Sequence, residues 1–489
     1  MDRRAELFIG GRWVKPQSDQ VIEVFSPATE ELIGEVPEGS PADIDAAVTS
    51  ARVAVDGDWG RSSAAERAAV LARFTEELSK RMDDIVTAQV SEQGAPVSQV
   101  AAVGSGPSLD VIRYYTKLAA ELIAEEVREG SGGRSLIRRV PVGVVGAIVP
   151  WNGAWPLAIF KLAPAMAAGC SVVVKPPPET PLSPNLMAEA AAAAGVPEGV
   201  LSVVPGGAEV GEHLVSHTGV DKVSFTGSDA VGKKIAAICG GRLRSTVLEL
   251  GGKSAAIVLE DADLASTVGG LALNSYVNNG EGCMSDTRIL VPRSRHDEFV
   301  EAFGAMASSL KVGDPFDPTT FIGPLISERQ RDRVEGYIFS GVEQGATLVT
   351  GGRRPAHLAK GWFVEPTVFA NVDNSMRIAR EEIFGPVVSI IAYSDEAEAV
   401  AISNDSDYGL GGSIWSSDVD HALALSAQVR TGIMAINGFG FQECSPFGGM
   451  KNSGLGWEMG PEGLNEYLAL QSILLGAGSF ARHADLPTR

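Results

Sequence analysis

The chain has 489 residues, of which 45% are hydrophobic and 21% are charged, and its formal net charge at pH 7 is −21. This is more residues than one compact hydrophobic core usually holds, so we expect two or three domains of ordinary size. The composition excludes a disordered chain, and the negative charge argues against a nucleic-acid or anionic-membrane partner, because binding phosphates requires clustered Lys and Arg.

The cysteines and the N-terminus indicate the compartment. Four cysteines lie far apart and form no CxxC pair: Cys170, Cys239, Cys283 and Cys444. This pattern favours neither a disulfide framework nor a zinc knuckle, and we expect no metal site. The N-terminus lacks the apolar run of a signal peptide, and no apolar stretch approaches the ~20 residues of a membrane span. The sequence therefore predicts a cytoplasmic protein without a membrane partner.

The order of helix and strand patterns predicts an α/β protein. Ala, Glu, Arg and Leu recur at helical spacing over residues 43–123, which predicts a helical scaffold. Short β-branched runs at 140–152 and 171–181 then flank a helix pattern at 157–168. The same alternation continues through 208–216, 221–228 and 231–240, and a second α/β stretch begins after residue 250. Alternating strands and helices are typical of parallel sheets.

Cys283 lies in the Gly-flanked polar loop NNGEGCMSDTR at 278–288, between a helix pattern and a strand pattern. Small neighbours keep a thiol accessible to a substrate, as a nucleophile requires. A lone Cys is more often a buried apolar residue, so the loop alone leaves both interpretations open.

Two further segments carry groups suited to carbonyl chemistry. Glu249 stands between two leucines in LELGGKS at 248–254, an apolar setting that raises the pKa of a carboxyl and suits a general base. Asn152 follows Pro-Trp at a strand end, and its amide can donate to an oxyanion. The alternatives are a Glu that pairs at a strand end and an Asn in a turn.

The segment FTGSDAVGK at 225–233 predicts a strand, a Gly-Ser turn and a helix start. Backbone amides and the positive end of the helix dipole at such a junction can receive a pyrophosphate. The signal is weak by itself, because the chain has no P-loop and no GxGxxG at an early βα turn.

Taken together and in order, these segments resemble the aldehyde dehydrogenase superfamily over nearly the whole chain. The matching motifs are Pro-Trp-Asn at 150–152, Phe-Thr-Gly-Ser at 225–228, Glu-Leu-Gly-Gly-Lys at 249–253, Gly-Glu-x-Cys at 280–283, Glu-Glu-Ile-Phe-Gly-Pro at 381–386 and Pro-Phe-Gly-Gly-x-Lys-x-Ser-Gly at 446–454.

The resemblance implies a fold and an assembly. The expected α/β fold has a variant Rossmann cofactor-binding domain at 1–120 and 141–250 and a catalytic domain at 251–452. A small β oligomerisation arm and tail would take 121–140 and 453–489. Strand patterns at 134–140 and 466–475 lie in this arm, where unpaired edges would aggregate, so we expect a homodimer or homotetramer.

The resemblance also implies residue roles. Cys283 would be the nucleophile, Glu249 the base that activates water, and Asn152 the oxyanion donor. Carried over likewise, Lys175 would bind the adenine ribose and Ser228 the pyrophosphate. The other residues expected to bind the cofactor are Glu382 at the nicotinamide ribose, Phe384 near the nicotinamide, Gly206 and Gly227 at close backbone approaches, and Pro150, Trp151, Glu179, Gly232 and Leu250.

The cofactor and the substrate depend on positions that vary within the family. Many NAD-preferring members carry a Glu where this chain has Pro178, so NAD is expected with NADP as the alternative. The expected substrate pocket is mostly apolar and has no Arg: Leu157, Phe160, Gly282, Met284 and Phe447. It favours an uncharged, apolar or aromatic aldehyde. Phe439 and Phe441 are expected near its mouth.

Other activities remain open at this stage. Glu249 disfavours a coenzyme A-acylating enzyme, since hydrolytic members use this residue to activate water. A thiol hydrolase would use Cys283 and Asn152 without nicotinamide. A catalytically silent relative would be free to lose Cys283, Glu249 and Asn152, yet all three are present.

Overall fold

The computed structural model describes residues 2–131, 133–438 and 440–474. Helices alternate with the strands of two large, mostly parallel sheets, which confirms the predicted α/β class. Within the described part, no helix is both long and apolar enough to cross a membrane. Phe439 and residues 475–489 of the expected tail lie outside the described residues.

The predicted helical scaffold is confirmed over residues 41–121. Its helices are Pro41–Asp56, Ala64–Lys80, Met82–Gln93, Val97–Gln99 and Gly106–Glu121, with a π-helical turn at Val100–Ser105. Ser40 and Ser63 begin the two longest N-terminal helices with capping boxes, in which Asp43 and Glu66 bond back to the cap. Gly94 ends Met82–Gln93 in the left-handed conformation, at φ 81°.

An eight-stranded sheet forms the first half of the protein. In spatial order its strands are Gly454–Leu455, Ser245–Glu249, Lys222–Thr226, Val144–Ile148, Ser171–Lys175, Leu201–Val203, Leu7–Ile9 and Arg12–Val14. The five strands from Ser245–Glu249 to Leu201–Val203 are parallel. The helices that follow them are Ala154–Ala168, Leu182–Ala193, Ala208–Ser216 and Asp229–Gly240. Both faces are covered, and every residue of the three central strands is buried: Val144–Ile148, Ser171–Lys175 and Lys222–Thr226.

A seven-stranded sheet forms the second half. Its strands in order are Thr347–Thr350, Thr367–Ala370, Val387–Tyr393, Asp286–Pro292, Ser254–Val258, Gly412–Trp415 and Ala435–Ile436. All pairs are parallel except the first. The accompanying helices are Leu264–Tyr276, His296–Ser309, Glu328–Glu343, Arg377–Arg380, Glu396–Asn404 and Val419–Ser426, with 3₁₀ turns at Val277–Gly280 and Arg293–Arg295. The short helix Gly460–Asn465 packs against Ala154–Ala168 of the first half.

A three-stranded antiparallel sheet joins the two expected arm segments. Glu125–Gly130 and Leu468–Leu474 flank Gly133–Pro141, and the pairing runs from Leu468 opposite Pro141 to Leu474 opposite Ser135. Small pairings complete the strands: Asp2–Arg3 and Val21–Phe25 beside Leu32–Pro37, and Tyr408–Gly409 with Met450–Lys451. Leu470 and Leu474 of the arm are 65% and 81% exposed.

The carboxyl ends of the parallel strands position the candidate site. Val144–Ile148 leads into residues 150–152, Lys222–Thr226 into 227–228, and Ser245–Glu249 into 250–251. From the other half, the loop before Asp286–Pro292 brings Cys283 to the same place. In open α/β sheets, ligands bind at this end of the strands.

Candidate active site

A cavity of about 710 Å³ lies where the two halves meet. Nine of the residues that line it have a role predicted from the sequence: Pro150, Trp151, Asn152, Gly227, Ser228, Leu250, Cys283, Glu382 and Phe384. Further lining residues were missed by the sequence analysis: Thr226, Asp229, Ala230, Gly251, Arg329, Gln330, Arg333, Tyr337, Glu381 and Tyr408. Thr226, Asp229, Ala230 and Gly251 lie in or next to motifs of the first half, and those motifs could have indicated them. The lining residues of the helix Glu328–Glu343 lie in no motif that would indicate a cofactor site.

Cys283 is partly exposed in a loop whose backbone is tightly fitted. Asn278 and Asn279 before it adopt left-handed conformations, at φ 56° and 62°. A Cβ on Gly252 would lie 2.4 Å from the backbone oxygen of Cys283, so only glycine fits there. Burial, with the charges of Glu382 and Glu249, raises the pKa of the Cys283 thiol to about 12. The thiol is therefore protonated at neutral pH.

Glu249 ends its strand as a buried carboxyl, 2% exposed, whose two oxygens have no hydrogen-bond partner among the described residues. Burial and the nearby charge of Glu458 raise its pKa well above the ordinary value, while Lys161 opposes the shift. The expectation of a raised pKa is confirmed. Lys161 forms a buried ion pair with Glu458 and donates to Thr226 Oγ1 at 2.6 Å.

Asn152 lines the same cavity as Cys283. Its Nδ2 donates to the backbone oxygen of Glu281 at 2.9 Å, which uses one of the two amide hydrogens. The same turn carries Trp151, whose ring packs edge-on against Phe384 at 5.2 Å between ring centres. Phe384 holds φ at 62°, a conformation that costs free energy in a non-glycine residue.

Ser228 begins the helix Asp229–Gly240, and its side chain accepts from Val231 N. Gly227 and Ser228 line the cavity at this positive helix end. Gly232, also expected to bind the cofactor, lies outside the residues that line the cavity. A Cβ there would lie 2.5 Å from the Leu250 side chain, so Gly232 lets the helix pack against the strand end.

Lys175, Glu179 and Gly206 form a group outside the residues that line this cavity. Lys175 is buried, and its Nζ donates to Gly206 O at 2.7 Å. Burial lowers the pKa of Lys175 to about 8, against the charges of Glu179 and Glu38. Glu38 Oε1 accepts from Gly207 N at 3.0 Å, and the sequence analysis did not anticipate its position.

Glu382 is a second carboxyl near Cys283, and it is a half-buried residue that lines the cavity. Its Oε1 accepts from Gly252 N at 2.9 Å, and burial raises its pKa to about 7. A Cβ on Gly251 would lie 2.4 Å from Glu382 Oε2. The two glycines therefore let this carboxyl approach the backbone closely.

Four of the expected pocket residues pack in one hydrophobic cluster with Cys283: Leu157, Phe160, Met284 and Phe447. They do not line the main cavity. Phe441 joins them, with ring centres 5.6 Å from Phe160 and 6.2 Å from Phe447, both edge to face. Gly282 lies beside Cys283, and a Cβ on it would contact Ser285 Oγ at 2.6 Å.

Comparisons with known proteins agree with this geometry. The model of the aldehyde dehydrogenase family matches residues 13–473. The chain therefore belongs to the aldehyde dehydrogenase family, and it is a nicotinamide-dependent enzyme that oxidises an aldehyde to the carboxylic acid. The family and the enzyme class expected from the motifs are confirmed.

Particular relatives are similar over nearly their full length. Geranial dehydrogenase of Castellaniella defragrans is 48% identical over 96% of this chain and 98% of its own. The 3-succinoylsemialdehyde-pyridine dehydrogenase of a Pseudomonas species is 40% identical over 97% and 99%. Mycobacterium tuberculosis aldehyde dehydrogenase complexed with NAD+ is 50% identical, with a TM-score of 0.96 over 98% and 99% of the chains. A mutant aldehyde dehydrogenase C of Pseudomonas syringae complexed with NAD+ and octanal is 39% identical, with a TM-score of 0.93 over 96% of each.

Proposed function

We propose that this enzyme oxidises uncharged, apolar or aromatic aldehydes with NAD, through a thioester on Cys283. One observation carries the proposal. Cys283 lies between a cavity that includes a helix N-terminus and an apolar cluster with aromatic rings, and the Asn152 amide lines the same cavity and bonds to the Cys283 loop. Glu249, a carboxyl without a hydrogen-bond partner among the described residues, completes the set at the strand end.

In the first step, Cys283 Sγ forms a bond to the aldehyde carbon, and the thiol proton passes to the solvent of the cavity. The carbonyl oxygen becomes an oxyanion that accepts the second N–H of Asn152, since the first is held by Glu281. Bound NAD supplies the two-electron acceptor. Loss of hydride from the carbon on Sγ leaves a thioester.

In the second step, Glu249 takes a proton from water, and the resulting hydroxide displaces Sγ to release the acid. The raised pKa of Glu249 supports this role, because it makes the carboxylate a stronger base than an ordinary Glu side chain. The lack of a fixed hydrogen bond leaves both carboxyl oxygens available to water. Glu249 also makes hydrolysis the expected outcome in place of acyl transfer to coenzyme A.

The residues present fit the cofactor. Ser228 and the helix N-terminus would hold the pyrophosphate. Glu382 keeps one oxygen on Gly252 N, and the other would accept from a ribose hydroxyl. Lys175 would hold the adenine ribose. We infer that Glu38 and Glu179, whose charges act on Lys175, disfavour the 2′-phosphate of NADP and offset the absence of a Glu at Pro178.

The apolar cluster around Cys283 supports the proposed aldehyde class. Phe160, Phe441 and Phe447 contribute ring faces and edges and no charge. The similarity to a geranial dehydrogenase and to a structure with bound octanal supports the same class, since both names refer to apolar aldehydes. A carboxylate-bearing aldehyde would lack a cationic partner in this cluster.

We also propose the expected division into a cofactor domain, a catalytic domain and an arm, and a homodimer or homotetramer held by the arm. The exposed leucines of Leu468–Leu474 support the assembly, because such an edge strand is otherwise prone to aggregate. A cytoplasmic location is consistent with four free cysteines. Light scattering of the purified enzyme would give the oligomeric state.

The function is tested by the absorbance of reduced nicotinamide. Wild type and Cys283→Ala are compared with hexanal, octanal and benzaldehyde, with NAD and NADP in parallel and with or without coenzyme A. We expect Cys283-dependent reduction of NAD without coenzyme A. Reduction only with coenzyme A would identify an acylating enzyme, whereas ester cleavage without nicotinamide reduction would identify a thiol hydrolase.

A further inference from the structure

A network of amide groups joins the loops that carry Asn152 and Cys283. Asn278 lies at its centre, and its Nδ2 donates to the backbone oxygens of Asn152 at 3.0 Å and Glu281 at 3.1 Å. On the other side, Asn278 Oδ1 accepts from Gln93 Nε2 at 2.6 Å, and Asn278 N donates to Gln99 Oε1 at 2.7 Å. One side chain therefore connects both loops to the helical scaffold.

The backbone fixes the orientation of these amides. Gln93 Nε2 also donates to Asn152 O at 2.9 Å, and a carbonyl oxygen can only accept. The Gln93 group that faces Asn278 is therefore the NH₂, and the facing atom of Asn278 is Oδ1. The orientation of the Gln93 amide is also fixed on its oxygen side, because Gln89 Nε2 donates to Gln93 Oε1 at 2.9 Å. Asn278 Nδ2 must then point at the two loop carbonyls.

The neighbouring Asn279 provides an internal comparison. It has the same residue type and nearly the same left-handed backbone, with φ 62° against 56° for Asn278. Its Nδ2 donates to Gly94 O and Pro324 O, and its Oδ1 accepts from Gly323 N. Asn279 thus binds the outer framework, whereas Asn278 binds the oxyanion and nucleophile loops.

Asn278 and Asn152 donate to the same acceptor, the backbone oxygen of Glu281. Glu281 O receives both Asn152 Nδ2 at 2.9 Å and Asn278 Nδ2 at 3.1 Å. This shared oxygen lies two residues before Cys283, and it fixes which hydrogen of Asn152 stays free.

We propose that Asn278 is a positioning residue that sets the Asn152 amide relative to Cys283 Sγ. The inference rests on the proposed function, because it requires Asn152 to donate to an oxyanion formed at Cys283. Asn278 does not itself line the cavity. It acts through the two loop carbonyls that its amide holds.

The test compares Asn278→Gly with Asn279→Gly, since glycine keeps the left-handed backbone at either position. We expect Asn278→Gly to lower kcat/KM for hexanal about 100-fold, the size of effect that misplacing a reacting group produces. Alkylation of Cys283 by iodoacetamide forms no oxyanion, so its rate should stay within about threefold of wild type. NAD affinity, measured by fluorescence titration, should not change.

The control variant should behave in the opposite way. We expect Asn279→Gly to lower the melting temperature while keeping kcat/KM within about threefold of wild type. Asn278→Asp serves as a second variant, because it retains the acceptor for Gln93 but has no donor for the two carbonyls. It should lose kcat/KM as Asn278→Gly does.

Three results would overturn the inference: near-wild-type turnover in Asn278→Gly, a parallel loss of alkylation and turnover, or an equal loss in Asn279→Gly. Failure of the proposed function is distinguishable, because wild type itself would then reduce no NAD with any aldehyde, and the inference would fall with it.

Discussion

Two carboxyls from opposite halves of the molecule act on the Cys283 thiol, and they differ in burial and in what holds them. Glu249, at a strand end of the eight-stranded sheet, has no hydrogen-bond partner among the described residues. Glu382, from the half built on the seven-stranded sheet, is anchored on Gly252 N. Burial is the largest cause of the raised pKa of both. In the proposed mechanism, the carboxyl without a hydrogen bond transfers a proton, and the carboxyl held by Gly252 N binds the cofactor.

The largest effect should come from removing the free carboxyl. In Glu249→Gln we expect kcat to fall about 1,000-fold, because general-base catalysis of thioester hydrolysis is lost. The first turnover should still yield one reduced nicotinamide per active site, since formation of the thioester does not use Glu249. Rapid-mixing absorbance measures both quantities. A kcat close to that of wild type would contradict the assignment of Glu249 as the base.

Both carboxyls also act on the thiol, so its reactivity sharpens the comparison. The pKa of the Cys283 thiol is about 12, so below this value its thiolate fraction rises about tenfold with each unit by which the pH increases. The rate of alkylation by iodoacetamide in cofactor-free enzyme should therefore increase from pH 7 to 10 without a plateau. Glu382→Gln and Glu249→Gln should each raise the rate at a given pH. A plateau near pH 7 would show that another group stabilises the thiolate.

Removing the anchored carboxyl should change binding and leave the hydrolytic step in place. Glu382→Gln can still accept from Gly252 N but loses the charge that would bind a ribose hydroxyl. We expect the Kd for NAD to rise about 10-fold, the size typical of a hydrogen bond to a charged group. Tryptophan fluorescence can report it, because Trp151 lines the cavity. Glu365→Gln, which removes a partner of Arg353 elsewhere, is the control.

The smallest expected effect is on stability. A carboxyl whose folded pKa is raised favours the folded state when protonated, so its contribution is lost as pH rises from about 4.5 towards the folded pKa. For Glu382 this interval ends at about 7. The melting temperature of wild type should therefore fall between pH 5 and pH 8 by about 1–3 °C more than that of Glu382→Gln or Glu249→Gln. An equal pH dependence of the melting temperature in wild type and both variants would mean that burial does not shift the pKa of these carboxyls.

The sequence by itself determined the class of fold and the family, and it predicted the set of residues that would carry the chemistry. Strand and helix alternation follows from local apolar patterning, which each segment carries in its own residues. Cys283, Glu249 and Asn152 stand in short motifs whose neighbours are small or apolar for reasons visible along the chain. The two leucines beside Glu249 predicted an apolar setting, and the carboxyl is indeed buried, while its role as the base stays a prediction.

Only the tertiary structure decided which distant groups support that set. Gln93 and Asn278 are 185 positions apart, and Glu38 and Gly207 are 169 apart. Gly232 also has a packing role that the sequence does not show, because a Cβ there would meet the Leu250 side chain. Contacts of this kind depend on how two sheets and a helical layer are placed against one another, and no local period in the sequence encodes the direction of a single amide or carboxylate.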